Sequence, residues 1–457
     1  MNKIKYIVLA LSIVGLSSCG DFMDTTPKGM VIPKTVEDFA GLTRDILATY
    51  SADPLTEYSC DNFMMPEEYI SSYISNSNGK AYFWQKDFFR EDEDDKSWNT
   101  LYNNIYRMNV VIDNIMEATD GTQDDKNRII TEAKVNRAYN HWMLVNMYAK
   151  AYDANTASSD LGIPLAVEAN LEAKYSRATI QEVMNQILLD LEGAENYLPE
   201  KGVNNFVPTK ASAYAMRARV YFYMCEYDKA AAEAEKALSF NSKMQDMREW
   251  SFMFEPIPWV GVNGMPQRGY EAPDVLFYRE CNFAGAMQRV MAVNPYFSAT
   301  FDLNDLRYKF YYTTVQSSGS GNYEDGTARC MQELTYSIRV PEMMLIKAEA
   351  LARKGEMEAL DIVNDLRKYR FLNESKLTAS KDDLLKVVLE ERRRELHMSG
   401  LRWFDMKRLA KEGLYTKTLK RSTSTTEYTL EPNSNLYVFP IPGKVMVYNS
   451  NIVPNPR

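Results

Sequence analysis

Histidine is nearly missing from this chain: His141 and His397 are the two copies in 457 residues. A mechanism that needs several histidines, a zinc centre or a base-and-shuttle pair, has little to draw on. Cysteine is scarce too, with five copies. None stands at C-x-x-C spacing, which argues against structural zinc. A basic domain is also lacking. The net charge is −9, and the arginine run Arg392-Arg393-Arg394 is enclosed by Glu390, Glu391 and Glu395. Such a chain is a poor nucleic-acid binder. The apolar run Ile7 to Leu16 is ten residues, too short to span a bilayer. The 62 acidic residues supply carboxylates in plenty. No motif, however, sets two of them about 5–10 Å apart across a cleft, as glycoside hydrolysis requires. No residue is assigned a catalytic or metal-binding role.

What the chain does have is apolar content of 45% and charged content of 25%, ordinary for a globular protein long enough for a large core and more than one domain. Lys3 and Lys5 precede the short apolar run, and Leu16-Ser17-Ser18-Cys19 closes it. That order fits a secretory leader. Its end resembles a bacterial lipoprotein box, which implies a signal peptide over 1–18 and lipidation of Cys19. The polar stretch 19–30 would then be the tether of a lipid-anchored protein. In an exported chain Cys60, Cys225, Cys281 and Cys330 are open to pairing. Cys281 and Cys330 are the first pair to test, whereas Cys225 falls on an apolar helical stripe and suits a buried thiol.

Helical periodicity is clearest over Thr209 to Phe240. Ala211, Tyr214, Ala215, Ala218, Tyr221, Phe222 and Cys225 follow the i, i+3, i+4, i+7 rule from Lys210 to Tyr227. A second helix from Asp228 carries Ala230, Ala234, Ala237 and Leu238 on one face. A related pair lies at Pro341 to Arg370, with Lys354-Gly355-Glu356 as its turn. Small alanines opposite aromatics let two helices approach closely. Each pair is similar to a tetratricopeptide repeat, whose hairpins must stack to bury their apolar faces. An ordinary helical hairpin is the alternative. Further helices are predicted at Thr35–Tyr50, Trp98–Thr119, Glu132–Tyr152, Thr179–Tyr197 and Lys381–Ser399. Asn109, polar on an apolar stripe, should tie down a neighbouring backbone. The acidic run Glu91 to Asp95 lacks the spacing and glycine of an EF-hand loop, and is expected to be a solvated turn beside a helix N-terminus.

Two stretches, 51–97 and 241–340, lose the helical period and are rich in aromatics. Strands are expected at Tyr308–Gln316 and Met331–Val340. A long irregular insert between stacked helices is where recognition usually resides. A pyranose offers an apolar C–H face to an indole or phenol, while tyrosine and tryptophan serve peptides equally well. Most rings in any chain are core. Trp84 and Trp259 are the leading exceptions because their neighbours are polar or proline-rich, and Tyr82 and Tyr296 are secondary candidates.

Near the C-terminus Glu391-Arg392-Arg393-Arg394-Glu395-Leu396 leads into Gly400-Leu401-Arg402-Trp403-Phe404-Asp405-Met406-Lys407-Arg408. Its alternating charges read better as structural ion pairs than as catalysts. With Trp98 to Asn109, Arg339 to Ala350, Phe439-Pro440-Ile441-Pro442 and the terminal Asn449 to Pro456, the pattern resembles the SusD-like (RagB/SusD) family of outer-membrane nutrient-binding lipoproteins. Ser399 and Lys444 replace residues that are commonly acidic there. The resemblance implies a mostly α fold, tetratricopeptide-like helical repeats with a large loop-rich insert and a few short strands, in one SusD-like body over 31–457 whose helical scaffold is 98–240 and 341–412 and whose irregular ligand-binding region is 51–97 and 241–340. It implies a lipid-anchored protein of the outer membrane, at the cell surface, that binds oligosaccharide and delivers it to a SusC-like TonB-dependent barrel transporter. It implies no cofactor and no enzymatic activity. The two repeat hairpins would face the barrel. Peptide capture by the same architecture is the alternative ligand reading. A glycoside hydrolase and a periplasm-facing scaffold that binds only protein are the other rivals.

Overall fold

A computed structural model describes residues 33–90, 92–255, 258–282, 284–316, 321–373 and 376–457. The leader, Cys19 and the tether lie outside the described residues. Among those described, no helix is long and apolar enough to cross a membrane.

Nine helices form the scaffold: α1 (Lys96–Asn114), α2 (Gln123–Tyr148), α3 (Ile180–Leu191), α4 (Lys210–Tyr223), α5 (Tyr227–Phe240), α6 (Val340–Arg353), α7 (Glu358–Arg367), α8 (Leu384–Glu395) and α9 (Leu401–Lys411). Their starts are written in the sequence. Asp95 caps α1, accepting from the Ser97 amide at 2.8 Å. Thr122 with Asp125, Thr179 with Glu182 and Thr209 with Ser212 form reciprocal capping boxes on α2, α3 and α4. From α1 to α7 each helix packs on the next, and α8 leans on both α6 and α7. The chain is thus a stack of antiparallel pairs, mostly α and tetratricopeptide-like, as its periodicity suggests. Helix α2 starts at Gln123, nine residues ahead of expectation, because its cap lies in a polar turn that carries no apolar signal.

The two repeat hairpins share their turns as well as their helices. In the second, Gly355 takes φ +70°, its amide donates to Ala352 O at 3.0 Å, and Glu356 donates to Leu351 O at 3.1 Å. In the first, Cys225 occupies the same place with φ +61°, donating to Phe222 O at 3.0 Å while Glu226 donates to Tyr221 O at 2.9 Å. Both are Schellman closures, which favour glycine at the left-handed position. Cys225 therefore sits in the turn and not on the stripe of α4, which ends at Tyr223. Ala211, Ala215, Ala218, Ala230, Ala234 and Ala237 are all buried between the paired helices.

The expected Cys281–Cys330 bridge is absent. Cys60, Cys225, Cys281 and Cys330 are all free thiols. Cys281 donates to Asn282 O at 3.4 Å, while Cys330 belongs to a strand against Tyr312.

The strands predicted on either side of 317–322 are also corrected. Leu306–Tyr311 is a helix capped by Asp305, and extended chain is confined to Tyr312–Thr313 on that side. On the other side, within Met331–Val340, the two-residue strand Ile338–Arg339 pairs with Val275–Phe277, and Thr335 makes a lone bridge to Glu280. Arg307, held by Asp305, Glu391 and Glu395, pins this segment into a turn of helix. Short antiparallel strands β1 (Phe63–Met64), β2 (Ala292–Val293), β3 (Tyr312–Thr313) and β4 (Arg329–Cys330) form a sheet in the order β1-β2-β4-β3. It joins the two aromatic, irregular stretches at Phe63↔Val293.

Candidate functional site

The charged stretch at the C-terminal end is core, as its alternating signs suggest. Glu391 accepts from Arg307 at 2.6 Å and from Arg394 at 2.8 Å. Glu395 accepts from Arg370 at 2.7 Å and Arg307 at 2.9 Å. Asp405 holds Arg392 at 2.9 Å, and Glu349 holds Arg408 at 2.7 Å. Arg402 closes on Asp61 at 2.7 Å. Burial alone would raise Glu391 and Glu395; the surrounding guanidinium groups hold both well below the ordinary carboxylate range. Every carboxylate here is committed to a cation, so none is poised to move a proton. Gly400 has a separate reason for being glycine: its φ is +73°, and a Cβ there would meet the Tyr336 ring at 1.9 Å.

His141 and His397 are fully buried. Asn109 does tie down backbone, donating to Glu168 O at 2.9 Å and accepting from Arg137 at 2.8 Å. Among the described residues no group of His, Cys, Asp and Glu is placed to hold a metal ion.

The four aromatic candidates divide. Trp84 is 3% exposed and Tyr82 6%, and both belong to the main core. The Trp84 indole donates to Ser59 O at 2.9 Å. Arg421 reaches across from the C-terminal hairpin and lies 3.9 Å from the Tyr82 ring centre and 4.3 Å from that of Trp84. Its guanidinium also donates to the carbonyls of Tyr58 and Cys60. These rings are brought together, but around a buried cation; neither is open to a ligand. The sequence offered no sign of this, because Arg421 is more than three hundred residues away.

Trp259 and Tyr296 lie differently. Strands Ser251–Phe252 and Val262–Asn263 pair as a hairpin whose far end carries a short helix, Pro258–Val260. Trp259 is half-buried there, and its indole N–H donates to Val315 O at 2.8 Å, which fixes the plane of the ring. Met253, Phe254 and Val260 on the same hairpin are exposed, Phe254 by 57%. Val315 bridges to Asn322, where Thr314 donates to the Asn322 side chain at 3.1 Å and Gln316 to its carbonyl at 3.1 Å. The Trp259–Val315 bond therefore sets an oriented indole, on a hairpin with exposed apolar residues, beside a segment that carries hydroxyl and amide side chains. This is the inventory for a ligand with one apolar face and a polar rim. Tyr296 is 78% exposed, with the Lys417 ammonium 5.2 Å from its ring centre. No contact joins it to Trp259.

One set of polar residues escaped the sequence reading. A groove of about 440 Å³ is lined by Tyr50, Asn99, Thr100, Asn103, Asn104 and Arg107. Asn99 and Asn103 share the outer face of α1 at i, i+4. That repeat was legible, but nothing in it distinguished a groove from a solvated face.

Residues 21–222 match the family model SusD-like_3, described as "Starch-binding associating with outer membrane". A SusD-like protein, P2, of Formosa agariphila is 24% identical over 99% of this chain and 98% of its own. Among solved structures, a SusD superfamily protein from Bacteroides thetaiotaomicron has a TM-score of 0.70 at 20% identity, covering 93% of this chain and all of that one. A SusD-like carbohydrate binding protein from Bacteroides vulgatus has a TM-score of 0.68 at 19% identity, covering 92% of this chain and 98% of that one. These likenesses extend the fold over nearly the whole length.

Proposed function

We propose that this chain, similar to SusD-like proteins over nearly its whole length, is a SusD-like protein that captures an oligosaccharide without altering it, at a surface centred on Trp259. The observation that carries this reading is the Trp259 indole, tied by its N–H to Val315 O beside exposed Met253, Phe254 and Val260. A sugar's C–H face stacks on such a ring, and its hydroxyls need donors and acceptors like those of Thr314, Gln316 and Asn322. Tyr296 is a second, peripheral contact. Trp84 and Tyr82 are left out because they are buried.

In this reading the protein is held at the outer membrane by a lipid on Cys19. It works on the cell surface and hands its cargo to a SusC-like TonB-dependent barrel, against which the repeat hairpins lie. The outer-membrane association in the family description supports that placement.

The test is a screen of the purified protein against a glycan array and a peptide library, with product analysis of any glycan bound. Saturable glycan binding with the glycan recovered intact is the expected result. Peptide binding with no glycan hit would transfer the site to the rival ligand class, and released fragments would overturn the binding-only reading.

A further inference from the structure

Away from the Trp259 surface, a cavity of about 420 Å³ is lined by Lys150, Lys407, Lys411, Asn433, Ser434 and Asn435, among others. A smaller one of about 210 Å³ shares Lys150 and Asn435 with it and extends to Arg177. Three lysines thus line the larger cavity and Arg177 the adjoining one, in a protein whose net charge is −9.

Two of the four have carboxylate partners. Lys150 pairs with Asp160 at 2.7 Å, and Lys411 pairs with Asp153. The two buried ones do not. Lys407 donates to Asn146 O at 2.6 Å and Ala149 O at 2.7 Å. Arg177 donates to the carbonyls of Gly162 at 2.8 Å, Leu161 and Val453 at 3.0 Å and, at 3.5 Å, Tyr148. Part of their role is plain: both close the C-terminal end of α2. A helix terminus, however, presents only about half a negative charge. Positive charge is left over, and the Lys407 ammonium has one N–H with no protein acceptor, since an ammonium carries three donors. Elsewhere in the core Arg219, Arg307, Arg370, Arg392 and Arg408 meet carboxylates, while Arg279, like Arg177, is held by uncharged oxygens, but it lines neither cavity.

We propose that this cavity binds an oxyanion, the carboxylate or sulfate of an acidic sugar or the free anion itself, which accepts from Lys407 and lies between the ammonium groups of Lys150 and Lys411. The acidic-sugar form rests on the glycan reading above; the free-anion form does not. Burial pushes Lys407 down to about 7, while the facing Asp153 and Asp160 are held below the ordinary carboxylate value and stay ionised. Lys150, Lys411 and Arg177 supply the remaining charge. A bound anion favours the ammonium form of Lys407, so binding takes up a proton at about pH 8.

Calorimetric titration of the intact protein with sodium glucuronate, sodium sulfate and a neutral oligosaccharide tests this, in two buffers of different ionisation enthalpy. The comparison protein is the double variant Lys150→Ala/Lys411→Ala, whose substituted side chains are exposed enough to leave the fold intact. The expected result is glucuronate binding with proton uptake, weakened on the order of tenfold in the variant. Sulfate binding that is lost in the same variant supports the free-anion form; glucuronate binding without sulfate binding supports the sugar form. Binding of neither anion, or binding indifferent to the double substitution, overturns the proposal. Neutral-glycan binding that persists through such a failure leaves the Trp259 reading standing.

Discussion

Arg219 and Glu342 form a bidentate ion pair, 2.8 Å from Nε to Oε1 and 2.5 Å from Nη2 to Oε2, with neither side chain more than 1% exposed. The pair bolts α4 of the first hairpin to the start of α6 in the second. The same guanidinium also donates to Ser337 O at 2.9 Å, fixing the strand that leads into α6. Two repeats separated by the whole insert are thereby held as one stack.

Glu342→Ala is predicted to cost about 3–5 kcal/mol, because it strands a buried guanidinium. Replacing both partners at once, Arg219→Met with Glu342→Leu, should cost much less, since no unpaired charge remains. Urea denaturation of the two variants and the parent protein reads the difference. A double replacement as damaging as the single one would contradict the assignment of the cost to the stranded charge.

Cys225→Gly should stabilise the protein by about 0.5–1 kcal/mol, since a residue with φ +61° pays a conformational cost that glycine avoids. The matching Gly355→Ala should destabilise by a similar amount. Thermal midpoints of the two variants check the pair together.

The two histidines contribute a stability term that falls on acidification. Burial holds His141 near 3 and His397 near 4. The unfolded chain takes up protons at the ordinary imidazole value of about 6.5, so this contribution is fully present above it and is lost as pH falls toward the folded values. Glu57, raised to about 7 by burial, and Asp53 and Asp95, raised to about 6, act in the opposite sense. Their contribution is present below the ordinary carboxylate values and is lost as pH rises through 6 to 7. His141→Leu removes one histidine term, so the change in unfolding free energy on going from about pH 6.5 to 4 should favour the folded state more than in the parent protein.

Trp84→Ala should cost about 3–5 kcal/mol of stability, since it empties a core site that also holds Arg421. Chemical denaturation measures this, and a loss below about 1 kcal/mol would place Trp84 outside the core.

The repeat hairpins were legible because an amphipathic helix writes its buried face locally, at three- and four-residue steps, and because the cap of α4, Thr209 with Ser212, lies within three residues. The ion network was legible as a tendency only: alternating signs at Glu391 to Arg408 say that charges pair, but not that Asp61, Glu349 and Arg307 are the partners. Trp84 was misread for the converse reason. Its neighbours carry no period, since its burial depends on Arg421 from the far end of the chain. The same distance hid the lysine-lined cavity, which needs Lys150, Lys407 and Asn433 side by side. Trp259 was singled out by its proline-rich setting, and its half-buried place was not legible, because the Val315 carbonyl that orients it lies 56 residues on.

The most direct test of the account is calorimetric titration of the best array glycan into the parent protein and into Trp259→Ala, with thermal midpoints recorded alongside. An indole that carries the stacking contact should cost about 1–3 kcal/mol of affinity on removal, with the midpoint nearly unchanged. Equal affinity in the two proteins would contradict the claim that this ring holds the sugar.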